Sequence, residues 1–181
     1  MLKKIFLCCV FASYLEACEL NPDLIYFAPA QQQDRALLTE LAIDSTDVHN
    51  KRLAPKFVAR LIFTITSEQI AAGLVEKILQ SNCSEILGFY ALRTNPQDHA
   101  QQKIELRLLF VNPSYIKHGL GSRLFQRAQA HSQALGYKNL YWISDPDAQD
   151  FYRKQGALQT GTSFNILNFF TPVVLFSKPI S

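Results

Sequence analysis

The chain reads as a single α/β domain with a central mixed, mostly antiparallel sheet flanked by helices, and three observations predict it. Apolar runs of strand length alternate with stretches in which apolar residues recur every three or four positions. These segments follow in the order strand, two helices, three strands, helix, strand, helix, two strands, which fits helices packed on a mixed sheet. The length of 181 residues, 48% of them apolar, supplies one substantial core and too little for two ordinary domains.

Residues 24–27 form a short run of strand formers that Ala28-Pro29-Ala30 breaks, and this is the first expected strand. Over 33–43, Ala36, Leu37, Leu38, Leu41, Ala42 and Ile43 recur at helical spacing, and Asp44 to Asp47 supply turn chemistry after them. Phe57, Val58, Leu61 and Ile62 mark a second helix near 54–63. Residues 74–79 and 86–92 are strand-like runs joined by a short polar connection, so they read as a hairpin. A polar turn over 94–101 leads to a long apolar strand at 104–111, interrupted by Glu105 and Arg107. Leu120, Leu124, Ala128, His131 and Leu135 then step by three and four, and Gly136 closes that helix. A short strand at 140–143 precedes a helix that Pro146 opens and Gly156 ends, and the last two strands fall at 158–164 and 173–176.

The first 23 residues are set apart from the domain, which is expected to span 24–181. Lys3 and Lys4 precede an apolar stretch at 5–14, and Leu15-Glu16-Ala17-Cys18 resembles a lipoprotein cleavage box, so residues 1–23 read either as a signal peptide or as a plain leader. The charge of Glu16 weighs against cleavage, and the stretch is shorter than the roughly 20 residues a membrane-spanning helix needs. The net charge of +3 arises from 18 basic and 15 acidic residues spread along the chain, with no basic run able to track a phosphate backbone, so no nucleic acid partner is expected. Cys8, Cys9, Cys18 and Cys83 show neither metal-ligand spacing nor a disulfide framework, and no metal is expected.

The chemistry-bearing region starts where the strand at 104–111 meets a helix through Lys117-His118-Gly119-Leu120-Gly121-Ser122. A helix start offers unpaired N–H groups and the positive end of its dipole, and glycines let a diphosphate approach them. A tight turn before a well-packed helix is the alternative. The P-loop is excluded because Gly121 is followed by Ser122-Arg123, and the dinucleotide fingerprint is excluded because Leu124 stands at its third glycine.

Leu109-Phe110-Val111 followed by this glycine loop resembles the acetyl-CoA site of the GCN5-related N-acetyltransferases, with Ile116 where that family has Arg or Gln. The later block Asp145-Pro146-Asp147-Ala148-Gln149-Asp150-Phe151-Tyr152 through Gly156-Ala157 is similar to a second motif of the same family. The resemblance covers about 24–177 and is strongest over 104–157. It implies the N-acyltransferase fold, acetyl-CoA as co-substrate and an amine acceptor, either a small molecule or a protein. It implies that Leu109, Phe110 and Val111 hold the pantetheine arm, with Phe110 and Val111 pairing to it by backbone and an N–H near Phe110 meeting the thioester oxygen. By the same resemblance Lys117, His118, Gly119, Leu120, Gly121 and Ser122 hold the diphosphate, and Asp145, Ala148 and Phe151 complete the cofactor side.

Tyr152 is the expected general acid, because a departing thiolate needs a proton and a phenol can supply one; the alternative is an aromatic core residue. Glu105 is the expected base for the amine, the alternative being a solvent-facing residue that shares a face with Arg107 and Leu109 and pairs with Arg107. His131 reads as a core histidine. Ser45, Asp47 and His49 fall in the segment that lines the acceptor pocket in the family, and a capped loop explains them equally well. A catalytically silent CoA-binding module is the rival function. Because acetyl-CoA is a cytoplasmic metabolite, a cytoplasmic protein is expected, with export or membrane anchoring through residues 1–18 as the alternative. A homodimer is left open.

Overall fold

The computed structural model describes residues 19–49, 56–82, 85–164 and 172–180. Among them the strands are β1 (Ile25–Pro29), β2 (Val75–Gln80), β3 (Ile86–Arg93), β4 (Lys103–Val111), β5 (Asn139–Ser144), β6 (Leu158–Phe164) and β7 (Pro172–Pro179). The helices are α1 (Arg35–His49), α2 (Lys56–Phe63), α3 (Ser67–Ala71), α4 (Pro96–Ala100), α5 (Leu120–Ala134) and α6 (Gln149–Lys154). The strands make one sheet in the order β1-β2-β3-β4-β5-β7-β6, antiparallel throughout except where β4 meets β5. The expected mixed, mostly antiparallel sheet is therefore present. No helix of the described residues is long and apolar enough to cross a membrane.

Each face of the sheet carries its own core. On one side Tyr90, Leu92, Ile104, Leu106 and Trp142 pack against Leu124, Phe125 and Ala128 of α5. On the other, Phe89, Ala91 and Leu108 pack against Leu38, Leu41 and Ala42 of α1. The β3–β4 register steps from Ala91↔Leu108 to Leu92↔Leu106, so Arg107 is an extra residue with no partner on β3. A bulge exchanges the faces that successive side chains occupy. Ile104 and Leu106 point to the α5 side before it, and Leu109 and Val111 take over that side after it, while Leu108 and Phe110 turn to the α1 side. The expected face shared by Glu105, Arg107 and Leu109 does not exist for this reason.

Several boundaries differ from the sequence expectation. Helix α1 continues through the expected turn at Asp44 to Asp47, because the hydroxyls of Ser45 and Thr46 bond back to the carbonyls of Leu41 and Ala42 rather than competing with the helix. The polar turn at 94–101 contains α4, opened by Pro96 at a position where no N–H is needed. Helix α3 was not expected; Thr66 and Gln69 form its capping box. Strand β1 extends to Pro29, tolerated because β1 is an edge strand. Residues ahead of the expected domain start at 24 are also fastened down, since Gln80 donates to the Glu19 carbonyl at 2.9 Å and accepts from the Asn21 N–H at 2.6 Å. The possible signal peptide at 1–18 lies outside the described residues.

A polar cluster ties α5 to β2 and β3. Arg127 donates to both oxygens of Glu76 at 2.7 and 2.8 Å, and Tyr90 Oη donates to Glu76 at 2.6 Å. Because the Tyr90 hydrogen is committed to a carboxylate, His131 Nδ1, 2.8 Å from the same hydroxyl, is the donor of that pair. His131 is thus a bonded member of this cluster rather than a histidine packed only among apolar residues. Burial opposes ionisation of Glu76, but the hydrogen bonds from Arg127 and Tyr90 outweigh it and hold the carboxyl below its ordinary range. A carboxyl depressed in the folded state contributes stability above its unfolded value, near 4.3, and loses it as pH falls through the folded value. Thermal melts between pH 3 and 7 are therefore expected to show a melting temperature that falls below about pH 4. Glu76→Gln is expected to flatten that acid limb and to lower stability at pH 7 by about 1–2 kcal/mol, the exposed flank of Arg127 screening the rest.

Candidate active site

Strands β4 and β5 pair only over Lys103–Glu105 with Asn139–Tyr141, although β4 runs on to Val111 and β5 to Ser144. Beyond Glu105 they part, which opens a gap inside the sheet. The Asn112 N–H donates to the Leu87 carbonyl at 2.9 Å, and Phe110 stands opposite Phe89. Antiparallel pairs alternate between bonded and unbonded, so Phe110 directs its N–H and C=O to β3 while Leu109 and Val111 direct theirs into the gap. Of the two residues expected to pair by backbone, Phe110 is therefore turned to β3, while Val111, with Leu109, faces the gap. Ser45 Oγ lies 2.9 Å from the Val111 carbonyl and 2.7 Å from that of Leu41, so its one hydrogen is shared between them. Unpaired main-chain groups in mid-sheet are a ready edge for an extended ligand.

Gly88 holds this edge in place and was not singled out from the sequence. A Cβ there would lie 2.7 Å from the Phe110 carbonyl oxygen and 3.0 Å from Leu124 Cδ1, so only glycine lets β3, β4 and α5 approach this closely. An isolated glycine inside a strand pattern was the available signal.

The gap leads to the start of α5. Gly119 is its N-cap at φ 77° and Lys117 also has positive φ, at 66°, so the loop turns through left-handed conformations before the helix begins. The first intrahelical bond runs from the Arg123 N–H to the Gly119 carbonyl, leaving the N–H groups of Leu120, Gly121 and Ser122 ahead of it. Lys117 and His118 are exposed at this end, and Leu120 anchors the helix in the core. The geometry suits an anion, which the dipole and the free N–H groups favour together.

Helix α6 brings the second sequence block to the same place. A Cβ on Gly121 would touch the Phe151 ring at 3.5 Å, and Gln155 donates to Ser122 Oγ at 2.9 Å. Ala148 and Phe151 pack partly buried against the α5-side core, and Asp145, exposed, precedes the turn into α6. Tyr152 is 8% exposed, its ring centroid 4.8 Å from Trp142, 4.9 Å from Phe151 and 5.6 Å from Phe125. Its hydroxyl makes no hydrogen bond among the described residues, whose one sealed and unpartnered side-chain polar atom is Trp142 Nε1. Burial, reinforced by the charge of Asp145, pushes the Tyr152 phenol well above its ordinary value.

Glu105 lies at the foot of the gap on the opposite face, buried and 2.6 Å from Arg93. Arg93 stands opposite it on β3, which overturns the alternative reading in which Glu105 pairs with Arg107. Arg107 donates instead to the Ile62 carbonyl at 2.9 Å, near the end of α2. Tyr141 sits in register with Glu105 and donates to Asp98, which Lys103 and Asn95 also contact. Phe63 meets Phe110 edge-on at 5.3 Å on this side. Tyr152, in the α5-side core, and Glu105, which alternates with Ile104 and Leu106, thus lie on opposite faces of the sheet. Ser45 contacts β4 as described, and the side chains of Asp47 and His49 lie outside the described residues.

A mixed sheet split between two parallel strands beside a glycine-capped helix is the GNAT acyltransferase fold. The sequence model of the acetyltransferase (GNAT) family matches residues 38–157, and the chain belongs to that family. Among solved structures it is similar to the PaiA N-acetyltransferase of Thermoplasma acidophilum in complex with coenzyme A, at 17% identity and a TM-score of 0.66, covering 86% of this chain and 98% of that one. An N-acetyltransferase from Staphylococcus aureus Mu50 is 19% identical with a TM-score of 0.62, covering 87% and 99%. The ribosomal-protein-S18-alanine N-acetyltransferase of Escherichia coli is 15% identical with a TM-score of 0.60, covering 87% and 94%. At these identities the likeness is one of fold.

Proposed function

We propose that the protein transfers the acetyl group of acetyl-CoA to an amine. The observation that carries this reading is the edge at Leu109 and Val111, which no strand pairs among the described residues and which the chain continues, through the glycine loop, to the N–H groups ahead of the first bond of α5. Acetyl-CoA supplies the activated acyl group as a thioester. Leu109 and Val111 would align its extended arm by main-chain hydrogen bonds, one N–H of that edge facing the carbonyl oxygen as it gains charge. The N–H groups of Leu120, Gly121 and Ser122 would hold the diphosphate, with Lys117 and His118 beside it. Ile116 adds no polar contact there, so the backbone carries that duty.

Tyr152 would donate a proton to the departing thiolate, its elevated pKa keeping the hydroxyl protonated until the sulfur gains charge. Glu105 would accept the proton that the amine loses, Arg93 fixing the orientation of its carboxylate. Thiol release from acetyl-CoA against a panel of amines tests the reading. Glu105→Gln is expected to reduce kcat/KM by about 10²-fold with acetyl-CoA affinity preserved. Unchanged turnover in that variant would remove Glu105 from the chemistry, and acetyl-CoA binding with no thiol release from any amine would favour a silent CoA-binding module. The same reading places the protein in the cytoplasm, and a native N-terminus at Cys18, read by mass, would contradict it.

A further inference from the structure

On the face of the sheet opposite α5, Arg93 and Arg107 flank the Glu105 carboxylate, while Asp98 nearby is already held by Tyr141, Asn95 and Lys103. Glu105 is taken by Arg93 at 2.6 Å. Arg107 has no carboxylate within ion-pair distance among the described residues; its one hydrogen bond, from Nη2 to the Ile62 carbonyl, leaves its other donors unused. It is the bulged residue of β4, two positions past Glu105, the last residue of β4 to pair with β5, so the protein sets it at the foot of the gap and turns it toward α2. Burial, and then the charge of Arg93, disfavour its charged form more than Glu105 offsets. A cation held there at a cost, without an acidic partner, is suited to an anion that arrives from outside.

That anion is not the diphosphate of CoA. The start of α5 follows the far end of β4, roughly 13 Å along the strand from Arg107 at about 3.3 Å per residue, and α5 lies on the other face of the sheet. Phe63 and Phe110 supply apolar surface on the same side as Arg107. A planar guanidinium with several free donors matches a carboxylate by two parallel hydrogen bonds.

We propose that Arg107 binds a carboxylate of the acceptor, so that the amine acetylated belongs to a small amino acid-like molecule rather than to an uncharged or polycationic amine. The inference rests on the acetyl-transfer reading for its meaning, but its test does not need turnover. Calorimetric titration of the CoA-saturated protein with the protein amino acids and with their carboxamides is the experiment. At least one amino acid is expected to bind ten-fold or more tightly than its carboxamide, and Arg107→Gln is expected to abolish that difference while the carboxamide binds as before. Arg107→Lys, which keeps the charge without the planar fork, is expected to retain part of it and guards against a Gln variant that does not fold. Equal binding of acid and amide by the native protein, or no binding of either, overturns the proposal. So does an Arg107→Gln protein that weakens both alike and melts earlier, because that marks a strut holding the end of α2. A native protein that discriminates acid from amide but releases no thiol would instead separate this proposal from a failed acetyl-transfer reading.

Discussion

Tyr152→Phe is expected to slow thiol release from acetyl-CoA by roughly 10²- to 10⁴-fold, the usual contribution of a positioned acid, with no change in melting temperature. The stability half follows from the packing. The ring sits among Trp142, Phe151, Phe125 and Phe176, and phenylalanine keeps all of those contacts. The hydroxyl makes no hydrogen bond among the described residues, so its removal strands no partner. The kinetic half follows from the elevated phenol. A group well above its ordinary value stays protonated from about pH 6 to 10, so the rate profile carries no alkaline limb from Tyr152. Full activity in the variant would assign the residue to the core alone, whereas a limb near pH 10 that vanishes with it would keep the acid role and overturn the raised phenol. Acetyl-CoA affinity, measured by titration, is expected to stay within about two-fold in either case, since the proton matters only as the thiolate leaves.

The second large effect is expected at Gly88. Gly88→Ala sets a methyl 2.7 Å from the Phe110 carbonyl oxygen and 3.2 Å from Val111 Cα, and both are backbone atoms that no rotamer change can move aside. Overpacking of this kind costs about 2 kcal/mol, or roughly 4–8 °C in melting temperature for a chain of this size. Strand β4 must give way, and the N–H groups of Leu109 and Val111 lie on the part that moves. Acetyl-CoA affinity is therefore expected to fall by about an order of magnitude, since hydrogen bonds and reactive alignment weaken steeply with misplacement. A variant that melts early but binds acetyl-CoA normally would show that the edge is not where the cofactor pairs.

Much of this architecture was legible because it is local. The periodicity of 33–43 and 120–135 marked α1 and α5, the hairpin of β2 and β3 followed from two apolar runs around a polar link, and Gly119, Gly121 and the Phe151-Tyr152 block pointed to the family through a resemblance. Each of these depends on residues within one or two turns of one another. Helix α3 was not read from the sequence: its capping box of Thr66 and Gln69 carries too short an apolar pattern to stand out.

The sequence by itself determined the class of fold, the succession of elements apart from the short helices α3 and α4, and the glycine-capped helix start, since spacing, capping and turn residues act on neighbours along the chain. Only the tertiary structure decided which face each residue of β4 occupies. The bulge at Arg107 is set by how β3 and β4 pair, and no feature of 103–111 alone announces it. From that one inserted residue follow the pairing of Glu105 with Arg93, an Arg107 that meets no carboxylate among the described residues, and main-chain groups of Leu109 and Val111, not of Phe110, that face the gap. The parting of β4 from β5 was hidden for the same reason: hydrogen bonds between strands far apart in the chain leave no local signature until the sheet is assembled.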